Sequence, residues 1–314
     1  MDRKVSVVLC TYNGEKYLRE QIDSILNQTY PIYELIVQDD CSIDNTLNIL
    51  INYKEKDPRV KIYTNKKSLG YDANFLDAYC KATGDYIASS DQDDIWKINK
   101  IEILMNTIGD KSLIFHDSIL FTSDIYNPIG TRTYSNTIFN ETIFMMRPFV
   151  AGHQCLFHNE ILPLIKMLTQ KERVISYDYL ICLLGEIVNG VVYINEPLVY
   201  WRRHLDAISY SSSVSKQSNI KGFILAIKAL FIEERRRITK HYFLLMSGLA
   251  FKNELSSLII ENMKRGDIIG IIKTCFICMK YRDLLFSRET SCIIKSFLMP
   301  LYFIRDQSTF IIKE

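Results

Sequence analysis

Three carboxylates lie close together in the segment ASSDQDDIWK, which runs from residue 88 to residue 97. Asp91, Asp93 and Asp94 directly follow the apolar-leaning run Tyr-Ile-Ala at 86–88. Like charges at this spacing repel one another unless water screens them or a cation neutralises them. Carboxylate oxygens, together with substrate phosphates, are the ligands that Mg²⁺ and Mn²⁺ prefer. The segment therefore predicts either a divalent-metal site at the end of a strand or a solvated acidic turn.

Short strands and helices alternate along the first half of the chain. The strand-like apolar runs lie at 5–10, 35–37, 60–63 and 86–88, and helical stripes separate them at 17–26, 46–53 and 73–82. This rhythm predicts an α/β fold with a mostly parallel sheet flanked by helices. Ligands of such sheets bind outside the carboxyl ends of the strands.

Polar residues capable of binding ligands follow three of these four strands, at 11–13, 39–40 and 91–93. Loops are polar in general, so each group alone has an ordinary explanation. Because all three would meet at one edge of the sheet, we favour a binding site there.

The pattern changes after residue 110, and the charge changes with it. Short strands are predicted at 113–115, 119–121, 191–194 and 198–201, and helices at 160–168, 178–187, 223–232 and 268–279. A Ser-rich stretch at 209–218 predicts a linker. Residues 1–215 contain 21 Lys and Arg against 27 Asp and Glu, whereas residues 216–314 contain 17 against 9. We expect a catalytic domain at 1–210 and a basic, helical C-terminal region at 211–314.

Three segments together resemble the family 2 inverting glycosyltransferases with the GT-A fold, and most of all their rhamnosyltransferase-type branch. They are VSVVLCTYNGEKYLREQIDSILNQTYPIYELIVQDDCSIDNT at 5–46, SDQDDIW at 90–96 and LVYWRRHLDAIS at 198–209. The resemblance implies a nucleotide-sugar-binding half at 1–110 and an acceptor-binding half at 111–210. It also implies metal-dependent transfer of a sugar, such as rhamnose, from a nucleotide diphosphate donor to a glycan or lipid-linked acceptor in cell-surface polysaccharide synthesis.

The donor's base would bind at the first two strand ends. A Thr11-Tyr12-Asn13 turn can offer backbone groups to a pyrimidine, and Asp39 can accept the hydrogen bond of its ring N–H. The resemblance assigns these roles to Thr11, Asn13 and Asp39, which predicts a dTDP- or UDP-linked donor. Asp40 either joins this site, orients the loop or caps the following helix. The family usually has Gly where Cys41 stands.

The metal and the diphosphate would bind at the fourth strand end and near residue 204. The resemblance assigns Mg²⁺ or Mn²⁺ to Asp93, places Asp91 near the ribose or the metal, and leaves Asp94 to orient the loop. His204 would complete the metal site or contact the diphosphate, although a lone His is usually structural. Arg202 and Arg203 would compensate phosphate charge.

Inversion also requires a base that takes the proton of the acceptor hydroxyl. The resemblance assigns this role to Asp178, in ISYDYLICLL, whereas the alternative is a helix N-terminus capped by Ser176 or Asp178. Gly152 and His153 correspond to the family's acceptor-binding floor.

The basic C-terminal region has two open explanations. Apolar stretches with interspersed Lys and Arg suit a helix lying on an anionic membrane, and they equally suit a face that covers the catalytic domain or a second subunit. Nucleic acid is not expected, because no recognition motif accompanies the charge. The eight cysteines show no disulfide spacing, and the N-terminal apolar run is too short for a signal peptide. These features predict a cytoplasmic protein, either free or peripheral on the inner face of the cytoplasmic membrane.

Two other functions fit parts of this pattern. A sugar nucleotidyltransferase of similar fold would carry a Gly-rich phosphate loop after its first strand, where this chain has VVLCTYNGEKY. A non-catalytic nucleotide-sugar-binding scaffold is the other alternative.

Overall fold

The computed structural model describes residues 3–134, 137–147, 149–171, 175–205, 219–286 and 292–307. Its internal contacts group the chain into two units. The first comprises Met1–Ser135, Val150–Lys171 and Leu180–Tyr210, and the second comprises Asn136–Phe149, Glu172–Tyr179 and Ser211–Glu314. The division into a catalytic domain and a C-terminal region stays a prediction about function. The predicted linker at 209–218 lies outside the described residues.

The strands and helices have the following bounds along the chain. The strands are β1 (Val5–Thr11), β2 (Glu34–Asp39), β3 (Val60–Thr64), β4 (Tyr86–Ser90), β5 (Ile95–Trp96), β6 (Leu113–Phe121), β7 (Gly130–Arg132), β8 (Cys155–His158) and β9 (Val191–Arg202). The helices are α1 (Leu18–Leu26), α2 (Thr46–Lys56), α3 (Tyr71–Tyr79), α4 (Lys100–Thr107), α5 (Glu141–Met146), α6 (Leu162–Lys171), α7 (Tyr177–Val188), α8 (Asn219–Leu230), α9 (Glu233–Met246), α10 (Glu254–Met263), α11 (Ile268–Lys280) and α12 (Cys292–Asp306). Short 3₁₀ helices lie at Gly152–Gln154, Asn159–Ile161 and Arg282–Leu284.

The first four strands form the parallel part of the sheet in the first unit. Their order is β3-β2-β1-β4, and every neighbouring pair is parallel. All residues of β1, β2 and β4 are buried, as expected for parallel strands that helices cover on both faces. The α/β fold class and the strand–helix alternation are thus confirmed.

The sheet continues with mixed directions beyond β4. Strand β4 pairs antiparallel with β8, β8 antiparallel with β6, β6 parallel with β9, and β9 antiparallel with β5, while β7 pairs with β6. Strand β8 therefore brings the chain near residue 155 beside the strand that precedes the acidic segment. The sequence showed no sign of this neighbour, because antiparallel insertion of a distant strand leaves no local pattern.

Several predicted boundaries were wrong, including those of the helices predicted at 73–82 and 223–232, which run from Tyr71 to Tyr79 and from Asn219 to Leu230. The segments 113–115 and 119–121 belong to one strand, β6, and 191–194 and 198–201 belong to one strand, β9. Pro197 fits inside β9 because it lies opposite Asp117 at a register shift, where the hydrogen-bond ladder is interrupted. The helix predicted from residue 160 begins at Leu162, with Pro163 in its first turn, where its missing N–H has no helical acceptor.

Helix α1 shows how the sequence positions the sheet. Leu18, Ile22 and Ile25 lie on one face of the helix, and each is fully buried in the core that also contains the strand residues Val7 and Leu35. The spacing of three and four residues is the spacing of one helical face. Helix α1 therefore fixes the turn at 11–13 that precedes it.

The second unit is helical in the residues described. Two buried tyrosines hold α5 within this unit: the hydroxyl groups of Tyr179 and Tyr242 both donate to the carbonyl of Met145, and the Tyr242 bond is 2.8 Å long. Thr142 Oγ1 and Ser256 Oγ lie 2.8 Å apart, also buried. Among the described residues, no helix combines the length and the apolar character required to cross a bilayer.

The contact between α7 and β6 supplies a stability test. A Cβ atom on Gly185 would lie 2.6 Å from Leu113 Cβ, which belongs to a strand and cannot move away. We expect Gly185→Ala to lower the free energy of unfolding by about 1–3 kcal/mol through overpacking. Urea denaturation measures it. Gly248→Ala is the control, because its nearest neighbour would be 3.4 Å away, and it should change stability by less than about 0.5 kcal/mol. Equal effects of the two substitutions would contradict this account of the helix–sheet contact.

Candidate metal and nucleotide site

The polar residues predicted at the strand ends meet at one edge of the sheet. Strands β1 and β2 pair in register up to Thr11 and Asp39, and Leu9 of β1 aligns with Ser90, the last residue of β4. Asp91 follows immediately after β4. The parallel arrangement therefore brings Thr11, Asp39 and Asp91 to the same edge.

The Asp39 carboxylate is completely buried and held by its own chain. Thr11 Oγ1 donates to Asp39 Oδ1 over 2.9 Å, and the backbone N–H of Ser42 donates to Oδ2 over 2.9 Å. Ser42 Oγ donates to Oδ1 as well. Three donors thus fix the orientation of this carboxylate at the end of β2.

The turn after β1 is tied to the loop after β2. The N–H of Asn13 donates to Ser42 Oγ and the N–H of Ile43 donates to Asn13 Oδ1, each over 2.9 Å. Asn13 has φ 49° and Cys41 has φ 66°, a left-handed backbone that glycine adopts most easily. The Gly that the family resemblance led us to expect at position 41 would adopt this backbone conformation more easily than Cys41 does.

Asp40 organises a loop. It accepts hydrogen bonds from the N–H groups of Leu69 (2.7 Å) and Gly70 (3.0 Å), from Ser68 Oγ (2.8 Å) and from Asn65 Nδ2 (2.7 Å). Burial alone would raise the pKa of Asp40, but these hydrogen bonds outweigh it and lower the pKa. Of the three roles foreseen for Asp40, orienting a loop is the one that its contacts match.

Gln92 links the acidic segment to the turn after β1, and the sequence analysis did not single it out. Its Oε1 accepts from the N–H of Tyr12 over 2.9 Å, and its Nε2 donates to the Tyr12 carbonyl over 3.0 Å. Gly14 leaves room for this pairing, since a Cβ there would lie 2.3 Å from Gln92 Oε1. Both residues stand inside quoted motifs, yet only the fold shows that they meet. The Tyr12 side chain itself is 54% exposed.

Asp91, Asp94 and His153 form a cluster with the geometry of a metal site. One ligand atom from each lies within 4.8 Å of the others. His153 Nδ1 is 3.2 Å from Asp91 Oδ2 and 3.7 Å from Asp94 Oδ2, and His153 Nε2 is 3.2 Å from Ser118 Oγ. Strand β8 explains the meeting, because Gly152–Gln154 directly precedes it. From the sequence, His153 was predicted to contact the acceptor and Asp94 was predicted to orient the loop.

Asp93 and His204, which were predicted as metal ligands, pair with each other. Asp93 Oδ2 and His204 Nε2 lie 2.8 Å apart, and the His204 ring is 5.0 Å from the Tyr17 ring. Asp94 Oδ1 accepts from the backbone N–H of Arg202 over 3.0 Å. The predicted set and the structural cluster thus share Asp91.

The two arginines before His204 have different surroundings. Arg202 is buried, forms an ion pair with Glu20, and donates from Nε to the Asp93 carbonyl over 2.8 Å. The Arg203 guanidinium lies 4.5 Å from the centre of the Trp201 ring, and that of Arg132 on β7 lies 5.2 Å from it. Arg202 therefore supports the acidic segment, while Arg203 and Arg132 bring positive charge beside Trp201.

The electrostatics of the cluster favour a bound cation. Burial, with the nearby Asp93 and Asp91 charges, raises the pKa of Asp94, and burial with the Asp91 charge raises the pKa of Asp93. Burial lowers the pKa of His153, so its ring is neutral. Asp94 Oδ2 is buried without a hydrogen-bond partner in the part of the chain described. An unpaired buried carboxylate oxygen is costly, and a divalent cation would satisfy it.

Lys100 lies beneath this cluster. Its Nζ donates to the carbonyl of His153 over 2.7 Å and lies 3.6 Å from the centre of the Trp96 ring. Burial lowers the pKa of Lys100 to about 7. The ammonium thus holds the backbone of His153 rather than a ligand atom of the cluster.

Asp178 lies in the first turn of α7, in a segment grouped with the second unit. Its Oδ1 accepts from the N–H of Tyr179 over 2.7 Å and from Ser176 Oγ. These are the contacts of a residue that stabilises a helix N-terminus, which was the alternative considered for it. Its role as a base stays a prediction.

The fold and this edge define a class of protein: α/β domains that bind a ligand at the carboxyl ends of parallel strands beside an acidic, cation-suited cluster. Residues 6–163 match the family model described as Glycosyl transferase family 2. Because this match covers half of the chain, the chain belongs to glycosyl transferase family 2.

Two relatives and one solved structure illustrate the likeness. An uncharacterized glycosyltransferase of Haemophilus influenzae is 32% identical over 50% of this chain and 55% of its own length. The Escherichia coli UDP-Glc:alpha-D-GlcNAc-diphosphoundecaprenol beta-1,3-glucosyltransferase WfgD is 36% identical over 36% of this chain and 44% of its own length. This chain thus spans about half of these relatives. S. aureus TarS 1–349 in complex with UDP-GlcNAc has a TM-score of 0.55 at 16% identity, covering 98% of this chain and 90% of TarS. The TarS likeness shows that the fold is GT-A-like.

The contacts of Asp40 predict a pH-dependent stability effect. Hydrogen bonds to a charged acceptor contribute about 1.5–3 kcal/mol each, so we expect Asp40→Asn to lower the free energy of unfolding by about 2–3 kcal/mol at pH 7. A lowered pKa in the folded state means that the carboxylate's contribution is complete above its ordinary pKa of 3.8 and is lost as the pH falls through the folded pKa. The difference from the unsubstituted protein should therefore stay constant from pH 7 to pH 5 and shrink below about pH 4.

Urea denaturation across this pH range measures the effect. Asp110→Asn is the control, because the Asp110 side chain is 82% exposed, and its effect should be within about 0.5 kcal/mol. A difference that does not change with pH below 4 would show that Asp40 acts through packing rather than charge.

Proposed function

We propose that the chain transfers a sugar from a pyrimidine nucleotide diphosphate donor, with a divalent cation, to a glycan or a lipid-linked acceptor. The observation that carries the proposal is the meeting of Asp91, Asp94 and His153 at the strand edge that also presents Thr11 and Asp39, in a chain of this family. A cation cluster beside a base pocket suits a ligand with a diphosphate between a base and a sugar. Synthesis of cell-surface polysaccharide is the process that this reaction would serve.

Asp91, Asp94 and His153 are the residues that we propose to hold Mg²⁺ or Mn²⁺. Carboxylates are the donors that Mg²⁺ and Mn²⁺ prefer, and the imidazole is a nitrogen donor that suits Mn²⁺ better than Mg²⁺. The cation, when bound, neutralises the diphosphate and stabilises it as the leaving group. Ser118 Oγ stands at the other ring nitrogen of His153 and orients the ring. The Asp93–His204 pair, which the sequence predicted to bind the metal, would lie beside this site.

Asp39 supports the choice of a pyrimidine. A carboxylate has about four acceptor positions, and its own chain fills three of them. One position is left, and because the carboxylate is completely buried, the ring N–H of uracil or thymine would reach it only if the loop after β2 shifts, while the backbone at 11–13 frames the base. The name of WfgD specifies UDP-Glc, and TarS was solved with UDP-GlcNAc; both are consistent with a pyrimidine donor. The resemblance to rhamnosyltransferases adds dTDP-rhamnose to the donors worth testing.

Asp178 is the proposed base, and inversion at the transferred carbon is the proposed outcome. The support is the motif position alone, since Asp178 also stabilises the first turn of α7. Gly152 stays a proposed acceptor contact, and Arg203 a proposed contact of the diphosphate. The acceptor of WfgD is named as a diphosphoundecaprenol-linked sugar, which supports a lipid-linked acceptor for this chain.

The donor is tested with a thermal-shift panel of UDP, dTDP and GDP, and of UDP-glucose, UDP-GlcNAc and dTDP-rhamnose, each with and without Mn²⁺. We expect UDP or dTDP compounds to raise the melting temperature, and Mn²⁺ to increase that rise, because a ligand that binds only the folded state stabilises it. A preference for GDP would contradict the pyrimidine pocket. Nucleotide binding without any release of nucleotide diphosphate from donor and acceptor would indicate a non-catalytic binding protein.

The metal ligands are tested by isothermal titration of Mn²⁺ into single variants. Loss of a residue that only supports a metal ligand weakens metal binding about 10–100-fold. Asp94→Asn and His153→Ala should each weaken Mn²⁺ binding by more than this, because they remove ligands. Asp110→Asn should leave the affinity unchanged, because Asp110 is exposed and outside the cluster. Weakening by Asp93→Asn and His204→Ala but not by Asp94→Asn would instead support the ligand set predicted from the sequence.

The base is tested by comparing Asp178→Asn with Ser176→Ala. Asp178→Asn should abolish sugar transfer while donor and Mn²⁺ affinities stay unchanged, because a base acts only on the acceptor proton. Ser176→Ala removes a neighbour of Asp178 that has no proposed chemical role, and it should retain transfer. Retained turnover in Asp178→Asn would remove this residue from the mechanism.

A further inference from the structure

Helix α8 buries its small residues and Leu230 but exposes four other large apolar side chains. Gly222, Ala226 and Ala229 are buried on one face. The exposed side chains include Phe223 (39% exposed), Ile224 (46%), Leu225 and Ile227. In a helix that packs on its core by one stripe, the remaining face is ordinarily polar. The outward face of α8 is therefore apolar where water contact alone would select polar residues.

Helix α11 repeats this arrangement more regularly. Ile269, Ile272 and Phe276 are exposed and follow the spacing of one helical face, three and then four residues apart. The opposite face buries Ile271, Thr274, Cys275 and Cys278. The buried pair Cys275 and Cys278 thus belongs to the core, whereas the apolar stripe on the opposite face is exposed among the described residues.

Exposed lysines accompany both apolar faces. Lys228 lies on α8, and Lys273 and Lys280 lie on α11, each exposed. The sequences of α8 and α11 contain no Asp or Glu. Lysine stems lie along apolar surface while their charged ends reach polar surroundings. The two outward faces therefore combine apolar area with positive charge only.

Both helices pack against α12. Arg305 Nη1 near the end of α12 donates to the carbonyl of Gly222 over 3.1 Å. The rings of Phe276 and Phe297 lie 5.3 Å apart near its beginning. The first turn of α12 adds the exposed side chains of Ile293 and Ile294. We name the outward faces of α8 and α11, with this turn, the basic apolar surface.

We propose that the basic apolar surface binds an anionic lipid bilayer. Apolar side chains would enter the boundary between headgroups and acyl chains, and the lysines would contact lipid phosphates. A second copy of the chain is the less favourable occupant, since a two-fold contact places the same patch on itself and brings lysines against lysines. The positive charge of the surface is complementary to an anionic membrane and repels its own copy.

The inference is independent of the proposed sugar transfer, because vesicle binding is measured without donor or acceptor. The full chain is mixed with phosphatidylcholine vesicles, with and without about one third phosphatidylglycerol, and separated by flotation. We expect binding to the mixed vesicles that falls as salt rises, since salt screens the lysine–phosphate attraction. Equal binding to neutral vesicles, or none to either, would overturn the proposal.

Charge variants identify the surface. Lys228→Gln with Lys273→Gln should lower the partition coefficient about 30-fold, since each basic residue near an anionic surface contributes about fivefold. Lys54→Gln with Lys56→Gln is the matched control, because these two lysines are exposed on α2 in the first unit, and it should lower the coefficient less than about threefold. Equal losses in the two double variants would show attraction to net charge instead of binding by this surface.

Substitution of exposed apolar residues distinguishes binding to a bilayer from binding to a second copy of the chain. Ile269→Gln with Ile272→Gln should reduce vesicle binding while the circular dichroism spectrum stays unchanged and the melting temperature changes little, because both side chains are exposed and Gln is a good helix former. Light scattering should show one monomer mass for both proteins. A dimer mass that disappears in this variant, without vesicle binding by either protein, would assign the surface to a second copy and overturn the proposal.

Discussion

Buried negative charge at the end of β4 is the constraint on which the rest of the first unit depends. Three carboxylates stand within four residues, and the Asp94 side chain is excluded from water. His153 Nδ1, 3.2 Å from Asp91 Oδ2, and His204 Nε2, 2.8 Å from Asp93 Oδ2, give hydrogen-bonding partners to two of these carboxylates and leave Asp94 Oδ2 without one among the described residues. Such a group of acids is stable only with protons or with a cation. Arg202 holds the segment through Asp94 Oδ1 and the Asp93 carbonyl. Lys100 holds the neighbouring backbone at His153.

The loops at this edge are held by side chains rather than by regular secondary structure. Asp39 holds Thr11 and Ser42, and Asp40 holds the residues at 65–70. Each carboxylate replaces several backbone partners that a loop cannot supply for itself. A site built in this way is ordered before a ligand arrives, and less ordering entropy opposes binding.

The sequence predicted the α/β class and the edge of the sheet, because periodicity and strand-end polarity are local properties. It also predicted the family through three quoted segments. It did not predict that His153 and Asp94 would share a cluster, since that depends on β8 inserting antiparallel beside β4. Pairing between strands separated by some seventy residues has no signature in a single chain. The rhamnose preference and the base role of Asp178 rest on motif likeness, and the fold carries no independent sign of either.

The side chain of Gln92 connects the acidic segment after β4 to the turn after β1. It sits among the acids of the 91–94 segment while binding both backbone groups of Tyr12. The Gln92 amide cannot move without breaking both bonds to Tyr12. A shift of the acidic segment and a shift of the turn after β1 are therefore coupled through this one side chain. If the proposed ion and nucleotide bind at these two places, thermodynamic reciprocity requires each to change the affinity of the other by the same factor. The size of that factor, measured from either ligand, would report how strongly the Gln92 side chain couples the acidic segment to the turn after β1.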